Sequence, residues 1–240
     1  TGSKVRDVVK ENYPIEMMDF NASYDRYVVK NTGGNQINLY SAVSNNLLFS
    51  IPEDEERIIL NLFYGGENDK YIVIVASDIT NVYDSQTGEK VKEITYVDTR
   101  IRDCFVNKQE GTFCVYDDNG FDVFDVNTLE KINRIDMQGG IELDDGIFSV
   151  AKDEFVVGNI ESGCLEVYPL EKDYDSNGPK LSISMPVAYI SRVFYNSDES
   201  KIFVVYKDAK TEIYNAKDLK LEYTFNDLAF SPKSAMVIND

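Results

Sequence analysis

The feature that most constrains this chain is a repeat. Five stretches align: INLYSAVSNNLLFSI (37–51), TNVYDSQTGEKVKEI (80–94), FDVFDVNTLEKINRI (121–135), LEVYPLEKDYDSNGPKLSI (165–183) and TEIYNAKDLKLEYTF (211–225). Each holds an aliphatic–aromatic pair, a short polar turn and then a charged, alternating segment. The aromatics are Tyr40, Tyr83, Phe124, Tyr168 and Tyr214, separated by 43, 41, 44 and 46 residues. A second column, Phe20, Phe63, Phe105, Phe148, Phe194 and Phe230, keeps step with the first. A chain with this period builds its core by stacking like units, each burying a face against the next.

Between the two columns every unit carries a dense apolar run: Tyr27-Val28-Val29, Tyr71 to Val75, Phe113 to Tyr116, Phe155-Val156-Val157 and Ile202 to Tyr206. Each unit therefore reads as four short strands, A to D, rich in Val, Ile, Tyr and Phe and broken by Gly, Asn and Asp. Strand B is apolar on both faces, whereas strand D alternates, as in Lys90-Val91-Lys92-Glu93-Ile94. A strand buried on both faces loses its alternation and one with a wet face keeps it. No helical period competes.

The segment Val82-Tyr83-Asp84-x-x-Thr87-Gly88-x-x-Val91 sits where WD40 repeats have Trp-Asp followed by Thr-Gly, and Phe230-Ser231-Pro232 matches their Phe-Ser-Pro turn. The chain thus resembles the WD40 and YVTN β-propellers, without a single Trp or His. The resemblance implies an all-β fold: a β-propeller of four-stranded antiparallel blades, with five full units and a partial sixth. The units run approximately 15–51, 57–94, 100–135, 146–185 and 189–225, with the partial unit at 226–240. Lys4-Val5-Arg6-Asp7-Val8 resembles a strand D, so residues 4–8 would close a six-bladed ring and remove its sheet edges. A single domain taken from a larger protein is equally consistent with these ends.

Composition then narrows function. The 24 Lys and Arg stand against 42 Asp and Glu, a formal charge of −18, with no His. Without His there is no Ser-His-Asp or Cys-His unit and no imidazole metal ligand. The charge argues against nucleic acid, whose phosphates such a chain would repel. The longest apolar run, Tyr71 to Ala76, is far too short to span a bilayer, which takes about 20 residues.

In a propeller the D–A and B–C connections share one edge of each blade, and the A–B and C–D turns share the other. Sorted that way, the first edge collects Asp54, Glu55, Asp78, Asp117, Asp118, Asp144, Asp145, Glu161 and Asp208, with Arg57, Arg100 and Lys207 as its main bases. This predicts an acidic loop face that attracts cationic partners within about 8 Å at physiological salt. Ordinary wet loops of an acidic protein are the alternative. Asp173-x-Asp175-x-Asn177-Gly178 resembles the first half of an EF-hand loop and could ligate calcium. Ser184 stands where that loop needs its closing Glu, so a polar turn with no cofactor is the competing reading. Cys104 and Cys114 flank one A–B turn, either as a cross-strand bridge or as buried free thiols; Cys164 lies apart.

These observations predict a non-catalytic scaffold for protein or peptide binding, its acidic face favouring basic partners. Two alternatives stand beside it. One is a ligand- or cation-sensing extracellular domain of a membrane protein, the other a carboxylate-based hydrolase needing no His. The sequence leaves the compartment open between the cytoplasm and, as the extracellular part of a larger membrane protein, the cell exterior. No acid pair is singled out by spacing, and Gly33-Gly34, Gly65-Gly66 and Gly139-Gly140 read as turns rather than a phosphate loop.

Overall fold

The structure, a computed structural model, describes residues 14–54, 57–97, 99–108, 111–136, 148–151, 154–160, 162–170, 178–208 and 210–226. The described chain forms five four-stranded antiparallel sheets. The first holds β1 (Ile15–Phe20), β2 (Arg26–Asn31), β3 (Gln36–Ser41) and β4 (Leu47–Pro52). The second holds β5 (Ile59–Gly65), β6 (Tyr71–Ala76), β7 (Ile79–Asp84) and β8 (Lys90–Thr95). The third holds β9 (Asp103–Asn107), β10 (Thr112–Asp117), β11 (Gly120–Asp125) and β12 (Lys131–Asp136). The fourth holds β13 (Phe148–Val150), β14 (Glu154–Asn159), β15 (Cys164–Pro169) and β16 (Leu181–Ser184). The fifth holds β17 (Ile190–Tyr195), β18 (Lys201–Tyr206), β19 (Thr211–Asn215) and β20 (Leu221–Phe225). In every sheet the strands pair in chain order. Each sheet is one repeat unit, and each is a propeller blade. The closing segment 4–8 and the partial unit beyond Asn226 lie outside the described residues.

The two sequence columns occupy equivalent places. The Phe column falls on strand A (β1, β5, β9, β13, β17), and the Tyr/Phe column on strand C. Strand B is buried on both faces, while the D strands β8 and β16 alternate between wet and half-buried positions. Three A strands are wetter than their apolar content suggests: β1, β9 and β17 are mostly half-buried. β5, equally an edge strand, is buried at four of its seven positions, so the wetness is a property of these three strands and not of strand A as such. In the first, third, fourth and fifth blades the C-strand aromatic stands directly opposite the first apolar residue of strand B, and in the second Tyr83 stands opposite Ile72. Tyr27 and Tyr40, Phe113 and Phe124, and Phe155 and Tyr168 stack at 5.3, 5.0 and 5.3 Å between centroids. Such cross-strand pairs set register as well as bury area.

Register irregularities repeat as faithfully as the side chains. The C–D ladder shifts at the column aromatic in four blades, between Leu39 and Tyr40, Val82 and Tyr83, Val123 and Phe124, and Ile213 and Tyr214. Bulges raise local twist, and one at a fixed place gives successive blades the same twist.

The described residues fall into two compact units, divided at Cys104, with Val126–Leu129 belonging to the first. In the first, Val28, Ile37, Leu39 and Ile51 of one blade pack on Leu62, Tyr64, Ile72 and Ile74 of the next. In the second, Phe121 and Val123 pack on Phe155 and Val157, and Val156, Leu165 and Val167 on Val193, Ile202 and Val204. Polar stitches cross between A strands. Asp19 Oδ2 accepts from the Tyr64 amide at 2.8 Å, Asn61 Nδ2 donates to Cys104 O at 2.9 Å, and Asn107 Nδ2 donates to Ala151 O at 3.0 Å. Among the described residues no helix is long and apolar enough to cross a membrane.

Candidate functional site

Antiparallel register brings the end of strand B, the B–C turn and the end of strand D to one edge of each blade. The pairs Gln36–Pro52, Ile79–Thr95 and Gly120–Asp136 mark that edge. On it, each of three basic side chains is held by two or three carboxylates. Lys30 Nζ lies 2.6 Å from Glu16 Oε2 and 3.2 Å from Glu53 Oε1, with Lys30 and Glu53 side chains both only 8% exposed. Burial opposes the ammonium, but the two glutamates outweigh it and hold Lys30 above its ordinary pKa. Arg57, on the D–A connection, meets Asp78 Oδ2 through Nε at 3.1 Å and Asp54 Oδ2 through Nη1 at 3.3 Å. Arg134 grips Asp117 with both Nη atoms, at 2.7 and 2.9 Å, while its Nε donates to Asp136 at 2.9 Å. Asp122 lies 3.4 Å from Arg134 and shares itself with Lys131 at the same distance.

Of the predicted face, the structure brings Asp54 and Asp78 together on Arg57, both side chains about half exposed. Asp118 stands exposed at the tip of the β10–β11 turn. Asp208, also exposed, lies on the β18–β19 turn and accepts from the Lys210 amide at 3.1 Å. Asp117 is different: it is 3% exposed and belongs to the blade's interior. Its Oδ1 also accepts from the Asn119 and Gly120 amides, at 2.7 and 3.0 Å. Burial would raise this carboxyl, but the Arg134 fork and the two amides outweigh it and hold it below the usual carboxylate range. Asp117 pairs with Gly120, so the two loop residues are Asp118 and Asn119. Gly120 is required one place later, where a Cβ would lie 2.0 Å from the Ile135 carbonyl oxygen. Glu55, Asp144, Asp145 and Glu161 lie outside the described residues, as do the calcium candidates Asp173, Asp175 and Asn177.

A third column escaped the reading of the repeat. Two residues before each C-strand aromatic stands a polar residue: Asn38, Asn81, Asp122, Glu166 and Glu212. Glu166, 6% exposed, accepts from Tyr168 Oη at 2.9 Å, Ser162 Oγ at 2.8 Å and Asn159 Nδ2 at 3.2 Å. Glu212 accepts from the Tyr206 and Tyr214 hydroxyls, both at 2.6 Å, and from Lys210 Nζ at 2.9 Å. Burial pushes against the Glu212 carboxylate, yet these donors outweigh it and keep the group ionised below its ordinary value. The same burial holds the Tyr206 and Tyr214 phenols protonated, as donors. Aligned period by period, the alternation of polar and aromatic residues on strand C is the signal that finds this column.

A cleft on the same edge, between the first and second blades, is bordered by Glu53, Asp54, Arg57, Asn81 and Tyr83 and encloses about 30 Å³. That is room for a water or two and not for an organic substrate. Among the described residues no three His, Cys, Asp or Glu side chains are grouped to hold a metal ion. The three cysteines are free thiols. Burial alone pushes the Cys114 thiol up to about 12, which makes it inert at neutral pH.

Known proteins were compared with this geometry. No family model and no curated protein sequence matches the chain. Solved structures do. Hsv2 of Kluyveromyces marxianus matches with a TM-score of 0.62 at 15% identity, over 92% of this chain and 64% of that one. Hsv2p of Kluyveromyces lactis matches at 0.59 and 16% identity, over 88% and 63% respectively. The chain spans less than two thirds of the length of these β-propeller proteins. At such identity the likeness establishes the fold, a divergent β-propeller of four-stranded blades.

Proposed function

We propose that the protein is a non-catalytic propeller platform whose B–C and D–A edges receive a basic protein or peptide, best an arginine-rich segment. One observation carries this reading: the bases on the edge are outnumbered by the carboxylates that hold them. Lys30 and Arg57 are the cations of a cluster with four carboxylates, Glu16, Glu53, Asp54 and Asp78. An edge so composed keeps net negative charge even with every base paired. Asp54, Asp78, Asp118 and Asp208 are the members a partner can reach. A guanidinium suits them, because its planar fork can engage a carboxylate that already serves one arginine. Loops on a stiff sheet scaffold are well placed for such contacts.

Calorimetric titration with a nona-arginine peptide tests the proposal, comparing the native chain with an Asp54→Asn, Asp78→Asn, Asp118→Asn variant. Exposed pairs contribute about 0.2–1 kcal/mol each, so the triple variant should bind roughly tenfold more weakly. Binding should also weaken as salt rises. Equal affinity for both proteins, or equal affinity for nona-glutamate, would contradict the proposal.

A further inference from the structure

The opposite edge of the first two blades carries a second, unrelated feature. Between the β1–β2 turn and the second blade lies a polar cavity of about 160 Å³. It is bordered by Asn21, Asp25, Arg26, Tyr64, Asp69 and Ser85. The sequence builds its walls from two turns. In the first, Asn21 Oδ1 accepts from the Asp25 and Arg26 amides at 3.1 and 2.9 Å, and its Nδ2 donates to Asp25 Oδ1 at 2.6 Å. The second opens on Gly66, at φ 81, where a Cβ would lie 2.7 Å from the Tyr71 ring. It then carries Asp69 to the cavity rim, where Oδ2 accepts from the Ala22 amide at 2.5 Å. Ser85 ties the floor, its Oγ donating to Asp69 O at 2.6 Å and its carbonyl accepting from Arg26 Nη1 at 3.1 Å.

Into this polar cup projects Tyr64, at the end of β5. It is 1% exposed, and its hydroxyl has no hydrogen-bond partner among the described residues. A buried hydroxyl without a partner is costly and marks a place where a ligand can complete the structure. The charges acting on that phenol are Arg26, Asp19, Asp69 and Asp25. Three carboxylates against one guanidinium make the surroundings negative, and Arg26 already donates to the Ser85 carbonyl. Lys70, on the second turn, lies over the Tyr71 ring at 5.0 Å. An anion is therefore repelled. A hard metal ion is poorly served, since these residues do not gather three ligating side chains.

We propose that this cavity binds a primary ammonium group, with the Tyr64 hydroxyl accepting one N–H and the Asp25 and Asp69 carboxylates balancing the charge. The group has three donors to spread over these acceptors. It can arrive on a free alkylamine or on a lysine side chain of a partner protein.

The test is a titration of the whole chain with butylamine, with 1-butanol as neutral isostere, and with the blocked tripeptide acetyl-Ala-Lys-Ala-amide. Butylamine should bind at least tenfold more tightly than 1-butanol. Tyr64→Phe, which loses no protein partner, should keep its melting temperature and weaken butylamine about tenfold, the scale of a lost hydrogen bond to a charged group. Asp25→Asn, an exposed site that can still accept from Asn21, should weaken it several-fold and serves if the Tyr64 variant unfolds. Tighter binding of the tripeptide than of butylamine identifies lysine as the source; the reverse identifies a free amine. Equal binding of butylamine and 1-butanol, or unchanged affinity in a folded variant, overturns the proposal.

Discussion

At the scale of single residues, the charged groups inside the blades are held by several partners each, in contrast to the Tyr64 hydroxyl, which has none among the described residues. Asp117 is the clearest case, taking a bidentate Arg134 and two turn amides in a nearly buried position. Asp117→Asn should destabilise the protein at pH 7 by about 2 kcal/mol. That is less than the 3–5 kcal/mol of a fully buried pair, because Arg134 keeps Asp136 and contact with solvent. The sign of its pH dependence follows from the lowered pKa. The carboxylate's contribution is fully present above its unfolded value of about 3.9 and is lost as pH falls through the folded value. Urea unfolding of both proteins from pH 7 to pH 2 should show the gap closing only in the acid range. A constant gap would mean that the charge contributes nothing. None of this wiring was legible from Asp117 itself, which looked like one more loop acid. Its partner Arg134 lies 17 residues away, and only the register of β10, β11 and β12 brings them together.

At the scale of elements, the C–D turns repeat one backbone device with different residues. Asn45, Gly88, Leu129 and Leu219 all adopt positive φ, at 58, 76, 58 and 53°, four residues after Ser41, Asp84, Asp125 and Asn215. A Leu is a strained choice there, costing about 1–2 kcal/mol against a glycine. Burial offsets that strain: Leu129 and Leu219 are 5% and 3% exposed. Removing the Leu219 side chain should cost about 2–5 kcal/mol as Leu219→Ala. Leu219→Gly should cost no more, because glycine also relieves the backbone, whereas in a strand interior glycine would be the worse substitution. Thermal unfolding of the two variants distinguishes these outcomes. Phe155, which contacts both Phe121 and Tyr168, should lose about 3–5 kcal/mol on change to Ala, read from the same experiment. The strands themselves were legible in the sequence, since the two aromatic columns and the apolar B runs fall on equivalent strands throughout. The turn device was not, because Gly, Asn and Leu share no side-chain chemistry and only their φ unites them. The half-wet character of β1, β9 and β17 was equally hidden, since β5 carries a similar apolar content and is mostly buried.

At the scale of the whole molecule, the blade repeat gives each acidic residue a fixed edge. Fold and charge together therefore say more than the −18 total. The predicted members divide by what the register does with them. Asp54 and Asp78 converge on one arginine and stay accessible, Asp118 and Asp208 tip their turns, and Asp117 turns inward. Sequence position alone could not separate inward from outward, because adjacent residues such as Asp117 and Asp118 differ only in pleat direction. Residues such as Lys30 and Glu16, which complete the cluster from within strands B and A, carried no loop signal at all. In the proposed function a basic partner is received on the B–C and D–A edges. The most direct measurement is amide chemical-shift mapping of the ¹⁵N-labelled protein titrated with N-acetylated nona-arginine, which has no primary ammonium. Shifts are expected at Asp54, Asp78, Asp118 and Asp208 and their neighbours, with the A–B turns around Ser23 and Asp198 unmoved. Shifts confined to the A–B and C–D turns, or no shifts at low salt, would contradict it.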